Sequence, residues 1–173
     1  GVGADSVTPA LPGFFHLVAR ERVGSTNEEA LLLVAGGTPS GTLVWAREQS
    51  NGKGRRGRMW TSPPGNLYCS TVLRPERERG AWGQVSFVAA VAVAEAIGRA
   101  APNVTPQLKW PNDVLVGARK LAGILLEASG DALVVGLGVN VASYPPGDGA
   151  TSLARQGAEV TVEVLLSEAA TTL

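Results

Sequence analysis

Hydrophobic and polar positions along the 173-residue chain change their period several times, and each change marks an element. FFHLVARERV reads as a first strand. Ser25-Thr26-Asn27-Glu28-Glu29 then opens a helix. Ser25 with Glu28, or Thr26 with Glu29, fits a capping box, in which a hydroxyl and a carboxylate satisfy free backbone donors. The helix runs through ALLLVA and stops at Gly36-Gly37. TLVWARE is β-rich. A basic loop and a TSPPG turn follow, and then NLYCSTVLR, a second strong strand. AWGQVSFVAAVAVAEAIGRAA is the longest helix, apolar on most of its faces and therefore expected to be buried. QLKW, DVLVG and LAGILLEA are β-type runs, with PND turning between the first two, and ALVVGLGVNV is a further buried strand. VTVEVLLSEAATTL is a helix with no stop signal behind it, so the natural chain is expected to continue past Leu173. Residues 1–13 read as a loose leader. Runs of strands with a few helices predict an α+β fold, a sheet covered by helices, in one domain.

Composition narrows the class without choosing a function. A hydrophobic share of 45% and a charged share of 17% suit a soluble globular domain with a real core. Formal net charge is zero, which argues against general polyanion binding, DNA included. Cys69 is the only cysteine, lies in an apolar run and reads as core; no zinc ligand set is present. His16 stands alone and reads as a packed or surface side chain. No run approaches the roughly 18 apolar residues of a membrane span. The start lacks the basic region of a signal peptide, so a cytoplasmic location is the default.

The chemistry concentrates in GKGRRGR, residues 52–58. Gly52-Lys53-Gly54-Arg55-Arg56-Gly57 matches G-x-G-x-x-G, but a dinucleotide site needs that turn to open a helix. Pro63, Pro64 and Gly65 follow closely and forbid one. A phosphate loop of the Walker type also fails, because Gly54 follows Lys53 where Ser or Thr is required. Glycines still free backbone N–H groups to cradle an anion, and arginines supply forked donors. Seven extended residues reach on the order of 24 Å, enough to fold across a nucleotide. The composition of this stretch suits a mobile lid that orders over an anion and a solvated basic loop equally. Gly136 and Gly138, inside an apolar strand, mark a bulge or a place where another group approaches the backbone.

Only three lysines occur among the fifteen basic residues: Lys53 in the loop, Lys109 in LKWPND and Lys120 in RKLAGILLE. Lys120, beside an apolar run, reads as a partly buried cation that needs an anionic partner. Trp45 and Trp60 flank the loop. An indole there could stack on a purine or serve as a core or rim aromatic.

Five blocks now stand in order: STN, EQSNGKGRRGRMWTSPPGNLYCS, LKWPNDVLV, RKLAGILLE and VVGLGVNV. Together they resemble the catalytic domain of biotin protein ligases, over about Val23 to Val141. The resemblance implies a mixed, largely antiparallel sheet covered by helices, of the class II aminoacyl-tRNA synthetase and biotin synthetase type. It implies ATP and biotin as substrates, Mg²⁺ as cofactor, and biotinyl-5′-AMP as the intermediate. The acceptor would be one lysine of a biotin carboxyl carrier protein. It admits a homodimer without requiring one.

Position by position, the resemblance puts Ser25, Thr26, Asn27 and Gln49 at the ring end of biotin. Gly52, Lys53, Gly54 and Arg55 become the loop that closes over biotin and its adenylate, and Arg55 retains the intermediate. Arg58 would face the ATP phosphates and Trp60 the adenine, with Lys109, Asn112, Asp113 and Asn140 also on the nucleotide side. Lys120 would contact the biotin carboxylate and the α-phosphate and stabilise the transition state. Asp113 would orient the incoming lysine and is the candidate Mg²⁺ ligand. Gly123 would let backbone approach biotin. Two departures from the family pattern stand out. Lys53 replaces an arginine common at that position, which loses a bidentate fork. The small β-barrel that usually follows the catalytic domain has no counterpart in this sequence. Too little chain precedes Ser25 for a winged-helix DNA-binding domain, so no operator binding is expected. The rivals are a lipoate–protein ligase of the same fold, a non-catalytic nucleic-acid module using the Gly/Arg loop, and a silent fragment that only binds biotin or its adenylate.

Overall fold

The structure is a computed structural model and describes residues 8–147 and 149–172. Seven strands form one sheet: β1 (His16–Val23), β2 (Thr42–Gln49), β3 (Leu67–Leu73), β4 (Gln107–Lys109), β5 (Asp113–Val116), β6 (Arg119–Ser129) and β7 (Ala132–Val139). Their spatial order is β1-β2-β3-β7-β6-β5-β4. β1 and β2 run parallel, and the other neighbours are antiparallel. Parallel neighbours need a crossover, and helix α1 (Thr26–Ala35) supplies it. The sheet is thus mixed and largely antiparallel, as the resemblance implies.

Alternation along the strands builds a different layer on each face. Leu43, Trp45, Leu67, Cys69 and Val139 turn to one face and pack with Val93 and Ile97 of α2 (Gly83–Ala100) and with Leu165 and Leu166 of α3 (Val162–Thr172). Val44, Val72 and Val134 turn to the other face, beneath Ala30 of α1. Each fully buried Leu or Ile contributes about 1.5–3 kcal/mol relative to exposure. α1 starts where its cap predicts: Ser25 Oγ accepts the Glu28 N–H at 3.0 Å. It ends at Gly36, followed by Gly37 at φ +84°.

Several expectations need correction. Among residues 8–13 the chain is not a loose leader, because Pro9 is buried and Leu11 packs against the main core; residues 1–7 lie outside the described part. The first strand begins at His16, after a turn in which the Phe15 N–H bonds Pro12 O. Residues Arg79–Ala100 are long and apolar enough to cross a membrane, contrary to the sequence reading. In this fold, however, α2 contacts β6, β5, β4 and α3. Its burial is one-sided: Ala89, Val93 and Ile97 face inward, while Phe87 and Val88 are exposed. The sequence marked them apolar but could not say which helix face would meet the sheet, and they lie on the outer one. Phe87 meets the exposed Trp110 instead, with ring centroids 5.9 Å apart.

Candidate active site

The α1 face of the sheet carries small residues where three central strands meet. Ser70 on β3 pairs with Gly136 on β7, which pairs with Leu125 on β6; one row along, Tyr68 pairs with Gly138 and Gly138 with Gly123. Side chains at these glycines would close the space. A Cβ on Gly136 would overlap Asn27 Oδ1, and one on Gly138 would lie 2.6 Å from Trp60 Nε1. The approach of other groups to strand glycines, anticipated from the sequence, is what Gly136 and Gly138 serve here. Above this floor is a cavity of about 520 Å³.

One end of the cavity is polar and uncharged. The N-terminus of α1 brings Ser25, Thr26 and Asn27 there, all at most 5% exposed. The Thr26 N–H donates to Gln49 Oε1 at 2.8 Å, and Gln49 Nε2 donates to Ser62 Oγ at 2.8 Å. Ser70 Oγ lies 2.7 Å from Thr26 Oγ1 and 2.6 Å from Asn27 Oδ1. Burial at this density requires such pairing, since an unmatched polar group costs about 1–3 kcal/mol.

The other end is cationic. The basic loop folds back on itself through Lys53 bridging Met59, with Gly54 N–H to Arg58 O at 2.7 Å and Trp60 N–H to Gly52 O at 2.9 Å. Arg56 sits at φ +57° in the tight turn over Arg55–Gly57. Lys53, Arg55, Arg56 and Arg58 all line the cavity. Arg55 Nη1 donates to Asn112 Oδ1 at 3.3 Å, and Asn112 is fixed in turn by its Nδ2 bond to Ile124 O at 2.7 Å. Lys120, from the start of β6, places Nζ 3.1 Å from Asp113 Oδ1 on β5 and 5.3 Å from the Trp60 ring centroid. It has the anionic partner anticipated for it. The Trp60 indole lies against Gly123 and Gly138, and its buried N–H has no hydrogen-bond partner among the described residues.

Fourteen of the sixteen residues singled out from the sequence line this cavity. Gly52 does not, but it is buried beneath the loop, where a Cβ would lie 2.9 Å from Gln49 Nε2 and overlap Trp60 O and Ser62 Oγ. Lys109 is exposed on β4 and does not line the cavity either. Asn140 does, with Nδ2 bonded to Thr151 O at 3.1 Å. Sequence reasoning passed over Ser62, Ser70, Gly136 as a partner of Asn27, and Glu127, which accepts from Asn27 Nδ2 at 3.0 Å. Their signal is period two: Ser70, Gly136, Gly138 and Glu127 all fall on strand positions facing α1. A motif search that stops at blocks of charge misses them.

An uncharged polar pocket leading into a cluster of cations suits a ligand with hydrogen-bonding groups at one end and anionic groups at the other. Relatives with this architecture are at hand. The chain is 50% identical over 130 residues to the biotin–[acetyl-CoA-carboxylase] ligase of Paracoccus denitrificans, covering 72% of this chain and 54% of that protein. It is similar to the biotin protein ligase of Aquifex aeolicus solved in complex with biotin and ATP, at 31% identity and TM-score 0.81, over 91% of this chain and 68% of that one. A biotin protein ligase from Leishmania major in complex with biotinyl-5-AMP matches at 26% identity and TM-score 0.81, over 91% of this chain and 72% of that one. The chain spans about half the length of the Paracoccus relative. Residues 20–141, from β1 to just beyond β7, match one family throughout, and this chain belongs to it: the biotin/lipoate A/B protein ligase family.

Proposed function

We propose that this domain joins biotin to ATP, forming biotinyl-5′-AMP and pyrophosphate, and passes the biotinyl group to a lysine of a biotin carboxyl carrier protein. The observation that carries the reading is the two-ended cavity, neutral and hydrogen-bonded at Ser25, Thr26 and Gln49, cationic at Lys120, Arg55 and Arg58. The relatives' names and bound ligands agree with it.

In the first step a carboxylate oxygen of biotin attacks the α-phosphorus, the bond to the bridging oxygen breaks, and pyrophosphate leaves with the electron pair. Both reactants are anions, so the barrier is largely electrostatic, and fixed cations aimed at the developing charge lower it. The Lys120 ammonium, 3.1 Å from Asp113, supports this reading: it would exchange Asp113 for the carboxylate and α-phosphate oxygens. Arg55 and Arg58 would hold the phosphates from the loop. The turn they form would keep water from the mixed anhydride. In the second step the acceptor amine attacks the acyl carbon, the bond to AMP breaks, and the amine loses a proton. Asp113 is the carboxylate within the cavity that would orient that amine.

For Mg²⁺ the described residues offer one lining carboxylate, Asp113, and no cluster of three His, Cys, Asp or Glu side chains. That suits a magnesium ion held by one carboxylate and by the phosphates of its nucleotide. When bound, Mg²⁺ would neutralise phosphate charge and favour the departure of pyrophosphate.

Incubating the protein with biotin and ATP and following biotinyl-5′-AMP by mass spectrometry tests the first step; adding an apo carrier protein tests the second. Calorimetric binding of lipoate with no binding of biotin would overturn the reading.

A further inference from the structure

The Ser70 hydroxyl touches two oxygens, Thr26 Oγ1 and Asn27 Oδ1, yet has one proton. The Asn27 amide decides where that proton goes. Its Nδ2 faces two acceptors, Leu125 O at 3.3 Å and Glu127 Oε1 at 3.0 Å. A flipped amide would set its carbonyl oxygen against a carboxylate, so the nitrogen stays on the Glu127 side. Oδ1 then faces Ser70 and can only accept. Ser70 donates to it and takes the proton of Thr26 in return. Thr26 Oγ1 therefore turns lone pairs alone toward the cavity. Beside it, Ser25 Oγ accepts from the Glu28 N–H and keeps its own proton for a ligand. Thr26, Asn27 and Ser70 are each at most 5% exposed, so water cannot rewire them cheaply.

We infer that Glu127, which does not line the cavity, is a positioning residue for substrate choice: through Asn27 and Ser70 it fixes Thr26 as a hydrogen-bond acceptor and selects a ring that offers an N–H beside a carbonyl. The inference rests on the biotin reading of the site and deepens it. The ureido ring of biotin carries both groups, whereas the dithiolane ring of lipoate carries neither. A buried acceptor that meets no donor rejects its ligand by large factors, which is how such sites discriminate within one family.

The test is calorimetry with biotin and with a biotin analogue methylated on both ureido nitrogens, on wild type, Glu127→Leu, Glu127→Gln and Ser70→Ala. Wild type is expected to favour biotin by on the order of 100-fold or more, as for a site built to hydrogen-bond its ligand. In Glu127→Leu only the longer bond to Leu125 O still orients the Asn27 amide, so the amide turns more readily and Thr26 can then donate. Its biotin affinity should fall about tenfold, and the analogue's by far less, so the ratio shrinks. Glu127→Gln keeps an acceptor for Asn27 and should restore most of the ratio. Ser70→Ala, the second variant if Glu127→Leu does not fold, should shrink the ratio in the same way. A merely structural role would weaken both ligands equally. Folded variants that keep the wild-type ratio overturn the inference alone. Wild type that binds no biotin overturns the functional reading together with it.

Discussion

Lys120 Nζ stands 3.1 Å from Asp113 Oδ1, so the ammonium at the centre of the cavity is held by a carboxylate of the neighbouring strand. Adjacent antiparallel strands β5 and β6 bring the two together across a register shift between Val114 and Leu115. On the proposed mechanism, Lys120→Ala removes the cation between two anionic reactants. Adenylate formation should fall at least 10²–10³-fold, the usual loss for one preorganised donor. Quenched-flow measurement of biotinyl-5′-AMP checks this, and formation at the wild-type rate would show that Lys120 has another task.

Arg55 reaches the site from the loop and ties it to Asn112 at 3.3 Å. Arg55→Gly takes away that tie and, on the proposed mechanism, one phosphate contact, but leaves Lys120 in place. The variant should still form adenylate and release it, raising free biotinyl-5′-AMP in the medium while transfer to carrier falls. Separation of bound and free adenylate by gel filtration reads the outcome; tight retention by the variant would place the lid function elsewhere.

Gly136 and Gly138 lie two residues apart on β7 and face the same side, yet they border different ends of the cavity. Gly136→Ala pushes Asn27 and should weaken biotin binding with little change in the KM for ATP. Gly138→Ala pushes the Trp60 indole and should raise the KM for ATP more than the Kd for biotin. Overpacking of this kind costs about 1–3 kcal/mol of stability, so both variants should melt earlier. Equal effects on both ligands would show that the two ends are not separate.

Burial pushes the Cys69 thiol up from 9.0 to about 12. It also raises the Tyr68 hydroxyl from 10.0 to about 12, against the opposing hydrogen bonds of Asn66 and Ser62. The unfolded chain therefore loses these protons first. The stability they represent is intact below pH 9 and declines as pH rises toward 12, by about 1.4 kcal/mol per pH unit for each group. Denaturant titrations between pH 8 and 10.5 should show the decline starting near 9 for wild type. Cys69→Ala, less stable at neutral pH, should decline more shallowly over pH 9–10. Parallel curves would remove Cys69 as the cause.

Element positions were largely legible because they rest on local chemistry. Ser25 caps α1 since its hydroxyl is three residues from a free N–H, and Gly36-Gly37 stops the helix whatever packs on it. The two apolar faces of β2 follow from Leu43 and Trp45 alternating with Val44 and Ala46. α2 misled because its composition is apolar nearly all round, and only its packing decides that Ala89, Val93 and Ile97 are covered while Phe87 and Val88 are not.

By itself the sequence determined the strands, the caps, the glycine-rich basic loop and the rare lysines, because each depends on neighbours within a few residues. Tertiary structure decided which of these meet. Strand order β3-β7-β6 sets Ser70, Gly136 and Leu125 in one row, 66 and 11 positions apart along the chain. That row lets Glu127 reach Asn27 and leaves Lys109, a residue of equal promise on paper, outside the cavity. Pairing between distant segments depends on register, and register is settled only when both faces of the sheet find their partners.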